Sequence, residues 1–222
     1  YTESMSELPT EQVEEYVGRA RQYYQMPGQG ALPYHNWGHA VDVCQHADEI
    51  AALSQRKRGS QVNRSFLLVA AARHDAGYHV PLEGFPTKEY RSAAFARLAM
   101  PELSEQEQGI IAASIIDTTV NKYPKSSNQG IALHFADIGY MAAPSYDVFL
   151  DSLGKMREEW GGLSWNETVT RTTAFAEQLR LEAQSDLARI LLAEDLEAWM
   201  ARLEANIAFL QQGRGFDENN RY

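Results

Sequence analysis

The chain has 222 residues, 44% of them hydrophobic, enough to bury one sizeable core without disulfides or structural zinc. Its 30 acids against 20 bases give a formal net charge of −10, which argues against a long nucleic-acid footprint but not against a small phosphate ester held by a local cation. The single cysteine, Cys44, excludes an internal disulfide and a four-cysteine zinc site.

Read in chain order, the pattern is helical nearly throughout. Leu8-Pro9-Thr10-Glu11 reads as a helix start, with Val13, Tyr16 and Val17 on one face. That helix should fade at the turn-rich Met26-Pro27-Gly28-Gln29-Gly30. A loop from Ala31 to Trp37 leads into a helix over about Gly38 to Leu53, closed by the basic Arg56-Lys57-Arg58. The next helix, Asn63 to His74, carries Phe66-Leu67-Leu68-Val69-Ala70-Ala71-Ala72 and is apolar on every side, so it should be central and buried. Pro81 and Pro86 frame a loop, followed by helices at about Lys88–Ala99 and Ser104–Ile116. Asn121 to Gly130 is polar and rich in breakers, hence a loop; Ile131–Met141 is again an apolar helix. Helices near Tyr146–Trp160, Glu167–Ala188 and Ala193–Gln211 complete the chain. No strand series or repeat is visible, and Leu181, Leu187, Ile190, Leu191 and Leu196 do not hold a heptad register. The expectation is one all-α domain, a helical bundle over residues 1–222. No apolar run approaches the roughly 20 residues of a bilayer span. The lone Cys44 points to a reducing, cytoplasmic setting, no membrane association is expected, and Tyr1-Thr2-Glu3-Ser4 shows no basic stretch leading into an apolar one.

Three places interrupt the apolar pattern: the segment from Tyr34 to Val43, the pair His74-Asp75, and Asp137. A carboxylate in a buried helix needs a partner, because an unpaired buried charge costs many kcal/mol. A divalent cation is one such partner, and two imidazoles with two carboxylates suit Mg, Mn, Fe, Zn or Co. Taken singly, each piece has a plainer reading. His74-Asp75 is a common dipeptide, Asp137 could pair with Arg73, and His35 and His39, four apart, could be ordinary histidines on one helix face. The case rests on their joint appearance in the order His, His-Asp, Asp at positions expected to be buried.

That order resembles the HD-domain superfamily of metal-dependent phosphohydrolases. Tyr34-His35-Asn36-Trp37-Gly38-His39 resembles the YHNxxH element of one bacterial branch, Glu89-Tyr90-Arg91-Ser92-Ala93 its Glu-x-x-Ser-Ala element, and Phe135-Ala136-Asp137-Ile138-Gly139 its final Asp motif. Tyr34 to Val43 also resembles the YHNxxHAxDV motif of class I cyclic nucleotide phosphodiesterases, as does His134, three residues before the final Asp. The resemblance implies a helical HD-type fold with His39, His74, Asp75 and Asp137 as metal ligands, holding one or two divalent ions, and His35 as proton donor. Where those phosphodiesterases carry a further histidine after the HD pair, this chain has Tyr78, with His79 next to it.

The expected activity is hydrolysis of a small, nucleotide-like phosphate ester. A metal-activated water attacks, Asp75 holds the metal and bridges a second ion if there is one, and His35 protonates the departing oxygen. Lys88, Arg91 and Trp37 are the candidate substrate contacts; Arg73, Lys122 and Lys125 are further cations near the motifs; Asp42 could orient a ligand histidine. His79 or His134 could join a second metal site. Three alternatives stay open: a two-metal cyclic nucleotide phosphodiesterase, a metal-binding regulatory module without turnover, and a di-iron oxygenase on the same scaffold, which needs extra histidines between the HD pair and the last Asp.

Overall fold

The computed structural model describes residues 6–25, 32–59, 62–79, 83–120 and 124–213. The expected turn at Met26–Gly30, Pro81 and Lys122 lie outside the described residues. The regular elements are helices α1 (Thr10–Arg21), α2 (Trp37–Gln55), α3 (Arg64–Ala71), α4 (Lys88–Leu98), α5 (Glu105–Asp117), α6 (Asn128–Asp137), α7 (Tyr146–Glu159), α8 (Trp165–Glu182), α9 (Ala188–Ile190) and α10 (Ala193–Gln211). Short 3-10 turns occur at Gln22–Gln25, Ala76–Tyr78 and Gly139–Ala142, and no strand appears among the described residues. The chain is all-α.

Local chemistry explains most of the helix starts. Asn36, Asn63, Thr87, Ser127 and Ser145 each accept a hydrogen bond from a backbone N–H two or three residues ahead. Ser104 with Glu107, and Ser164 with Glu167, form reciprocal capping boxes. Asn36 matters most here, because its Oδ1 accepts from the N–H of both Gly38 and His39. Its Nδ2 donates to the carbonyls of Leu32 and Pro33. The asparagine of the histidine motif therefore fixes where α2 begins and at what angle His39 leaves it.

Helix α3 is the central element, packed against α1, α2, α5 and α6. Phe66, Leu67, Val69, Ala70 and Ala71 are all at most 1% exposed, as the unbroken apolar run demands. The helix ends earlier than its pattern suggests. Ala71 is its last residue, and Ala72 to Asp75 form turns that stay buried. Helix α2 lies along α6, and His46 Nδ1 docks on the Ala136 carbonyl at 3.2 Å. Gly139 permits that approach, since a Cβ there would overlap the His46 ring.

Two more elements differ from expectation. The stretch read as a loop to Gly130 becomes helical from Asn128, because Ser127 caps it there. The helix expected to run unbroken from Glu167 to Ala188 is interrupted by a π-turn over Ala183–Leu187. Among the described residues, no helix is long and apolar enough to cross a membrane.

Candidate metal centre

Three helix termini meet at one point. His39 comes from the first turn of α2, His74 and Asp75 from the turn that ends α3, and Asp137 is the last residue of α6. A helix end leaves backbone carbonyls without partners. The His74 ring turns back on one of them: Nδ1 is 2.7 Å from the Ala71 carbonyl and donates to it. That contact fixes the tautomer and leaves Nε2 as a lone-pair donor facing inward. The His39 ring lies against Tyr34 at 4.3 Å between centroids, which holds its Nε2 toward the same point.

The four inward atoms are close-set. His39 Nε2 lies 3.1 Å from Asp137 Oδ1, 3.3 Å from His74 Nε2 and 3.4 Å from Asp75 Oδ2. His74 Nε2 lies 3.0 Å from Asp75 Oδ2 and 3.2 Å from Asp137 Oδ1. A cation with bonds of about 2.1 Å spaces neighbouring ligand atoms about 3.0 Å apart in an octahedron and about 3.4 Å apart in a tetrahedron. The observed separations lie between those limits. Asp75 Oδ2 is buried and accepts no hydrogen bond, which is costly unless a cation partners it. Two neutral imidazoles and two carboxylates carry a charge of −2, which a divalent ion balances. This buried group could hold a metal ion.

The electrostatics point the same way. Burial disfavours charge on His74, yet Asp75 and Asp137 outweigh it and raise its pKa well above the ordinary histidine value. Burial likewise opposes charge on Asp75, but His74, Lys88 and His35 hold it well below the usual carboxylate range. The cluster draws positive charge to itself.

The centre is closed on the α3 side and open on the other. The His74 side chain is fully buried, whereas that of Asp137 is 22% exposed and that of Lys88, beside Asp75, 30% exposed. His35 stands at this edge, its ring 5.9 Å from that of His39 and stacked on Tyr78 at 4.2 Å. Its Nδ1 is paired with Glu159 Oε1. Glu159 Oε2 accepts from the backbone N–H of Tyr34 and of His35, at 3.0 and 3.1 Å. Glu159 comes from the C-terminus of α7, 124 residues away, and sequence reasoning missed it. One signal was available: a carboxylate in the last turn of a helix opposes the helix dipole and needs a compensating donor. Burial lowers the His35 pKa. Burial also opposes charge on Glu159, but the hydrogen bonds from His35 keep its pKa below the ordinary glutamate value.

The remaining candidates separate clearly. Lys88 Nζ lies 3.4 Å from both Asp75 Oδ1 and His35 Nε2. Burial works against its charge, but Asp75 first and Tyr78 next keep it firmly protonated. Arg91 Nη1 donates to the Gly77 carbonyl at 3.0 Å and so braces the turn after the HD pair. Trp37 packs on Tyr24 at 5.6 Å, and Tyr24 on His79 at 5.0 Å. His79 Nε2 is 2.7 Å from the His35 carbonyl, and His134 Nε2 is 2.9 Å from Glu182. Neither of these two belongs to the four-residue group. Asp42 is exposed and is not what orients a ligand histidine. Arg73 does not pair with Asp137: its guanidinium is fully buried 5.8 Å from the Tyr16 ring, and its nitrogens make no hydrogen bond. Lys125 directs Nζ to the Thr119 carbonyl. Burial pushes the Cys44 thiol up to about 12, so it stays protonated and is no nucleophile.

The Glu-x-x-Ser-Ala element has a structural role here. Gly77, two residues after Asp75, donates its N–H to Ser92 Oγ at 2.7 Å and lies so close to α4 that a Cβ would meet Ser92 Oγ at 2.6 Å and Ser92 N at 2.8 Å. Gly77→Ala is expected to lower stability by about 1–3 kcal/mol, the cost of overpacking a close contact. A urea melt of the two proteins measures it; an unchanged midpoint would show that α4 does not clamp this turn.

No family model matches the chain, and a search of curated proteins returns no match. The helical architecture and the buried cluster are compatible with an HD-type fold.

Proposed function

We propose that this chain is an HD-type metal-dependent phosphohydrolase acting on a small, nucleotide-like phosphate ester. One observation carries the reading: a four-ligand cluster with a buried carboxylate oxygen that accepts no hydrogen bond lies beside a histidine backed by a glutamate. A divalent ion held by His39, His74, Asp75 and Asp137 would supply a water of lowered pKa and neutralise phosphoryl charge.

The protein's own groups do the rest. Asp75 and Asp137 would hold the cation, and the Ala71 carbonyl fixes the His74 ring. His35 keeps its Nδ1 proton on Glu159, and its Nε2 lies 3.4 Å from Lys88 Nζ, whose side chain is partly exposed. A leaving oxygen arriving there can take a proton from Nε2, while Glu159 stabilises the imidazolium that carries it. The lowered pKa of His35 makes its imidazolium the stronger acid, at the expense of the fraction protonated at neutral pH. Asp137 and Lys88 are partly exposed, which leaves the cluster within reach of a small ester, and a net charge of −10 disfavours a polynucleotide.

The test is a screen of the protein, loaded in turn with Mn, Fe, Zn, Co and Mg, against phosphomonoesters, nucleotides and cyclic nucleotides. Turnover of at least one small ester, lost on chelation, is the expected result. A metal-replete protein inert across the panel would leave only a metal-binding module.

A further inference from the structure

Asp75 divides its two oxygens. Oδ2 faces the imidazoles of His39 and His74, while Oδ1 faces Lys88 Nζ at 3.4 Å. Around that ammonium stand three atoms of the kind that bind metals: Asp75 Oδ1, His35 Nε2 at 3.4 Å and Glu89 Oε1 at 3.9 Å. The Tyr78 ring lies beneath it, 4.0 Å from Nζ to the centroid. This is the neighbourhood of a cation site, and an ammonium fills it.

We propose that Lys88 takes the place of a second metal ion, so that the centre combines one divalent cation with one fixed ammonium and grips a phosphoryl group between them. The inference rests on the phosphohydrolase reading above. Of the chain's six histidines, only His39 and His74 stand in the four-residue group. His39 and His74 belong to the first site, and His35 is held by Glu159 and faces Lys88. His46, His79 and His134 are engaged with the Ala136 carbonyl, the His35 carbonyl and Glu182. Of the carboxylates, Asp75 Oδ1 and Glu89 already face the ammonium. A second divalent ion on Asp75 Oδ1 would sit against the positive charge of Lys88, and like charges so close disfavour each other. The ammonium keeps part of what such an ion would do. It is a compact positive charge with three rotatable N–H donors, able to hold a phosphoryl oxygen. It does not acidify a water, so water activation falls to the single metal.

Mn(II) is the probe. Equilibrium dialysis and electron paramagnetic resonance should give one ion per wild-type chain and the spectrum of an isolated ion at saturation. Lys88→Ala should admit a second, weaker ion, with the two spin-coupled. With one ion bound, Lys88→Ala should bind inorganic phosphate about tenfold more weakly, as expected on losing a charge-assisted contact, and raising Mn(II) should restore it. Lys88→Met, which keeps the length of the stem, repeats the test should alanine loosen the fold, and circular dichroism monitors that. Two coupled ions in the wild type, or variants that stay at one ion, would overturn the role of Lys88 and leave the phosphohydrolase reading intact. A wild type that binds no Mn(II) or any other divalent ion would instead overturn that reading itself.

Discussion

Asp75→Ala protein is expected to emerge without bound metal and without phosphohydrolase activity, while keeping the helical circular dichroism of the wild type. The size of the effect follows from the position of the side chain. Removing a group that merely orients a metal ligand weakens a metal site by about 10–100-fold. Asp75 is one of the four converging groups and would supply half of the negative charge that balances a divalent cation. The loss in metal affinity should therefore exceed about 100-fold. Its Oδ2 also sits nearest to His74 Nε2, at 3.0 Å, so alanine leaves a gap in the coordination shell that water fills without charge. Asp75→Asn separates charge from shape: it keeps the volume, loses the anion and should be nearly as defective. Elemental analysis of the three proteins checks this, and full metal occupancy in Asp75→Ala would refute the ligand assignment.

The second large effect belongs to His35. Its replacement by asparagine should leave the metal in place, since the ring is not one of the four converging groups. Loss of a proton donor lowers kcat and kcat/KM together by about 10²–10⁴-fold for an alkyl ester. The same substitution should barely affect a nitrophenyl ester, whose leaving group departs without a proton. Glu159→Gln should show a weaker version of the same pattern, because the amide cannot stabilise an imidazolium at Nδ1. If His35 only shaped the start of α2, both esters would slow alike and the melting temperature would fall. Equal losses on the two esters, measured on metal-replete protein, would sink the general-acid role.

What the sequence made legible was burial more than helix boundaries. The apolar run through Ala72 announced a central element, and α3 is that element. The same run overstated the helix by three residues, because the turn carrying His74 and Asp75 is buried too and carries the same signal. The four candidate ligands stood out because a charge inside an apolar pattern demands a partner. Glu159 did not stand out, for its partner lies 124 residues away and no local periodicity reports such a pairing. The roles of Lys88 and Arg91 could not be separated from sequence. Both are cations three residues apart on one helix, and only the direction of each side chain sends one to Asp75 and the other to the Gly77 carbonyl. The π-turn at Ala183–Leu187 was hidden for a similar reason, since a single wide turn barely alters a hydrophobic pattern.

The most direct test of the central claim is X-ray anomalous scattering from crystals of the protein grown with Mn(II), with data collected on both sides of the metal edge. The account predicts a peak bonded at about 2.0–2.2 Å to His39 Nε2, His74 Nε2, Asp75 Oδ2 and Asp137 Oδ1. A metal-saturated crystal with no peak among those four atoms, or with its peak elsewhere, would contradict it.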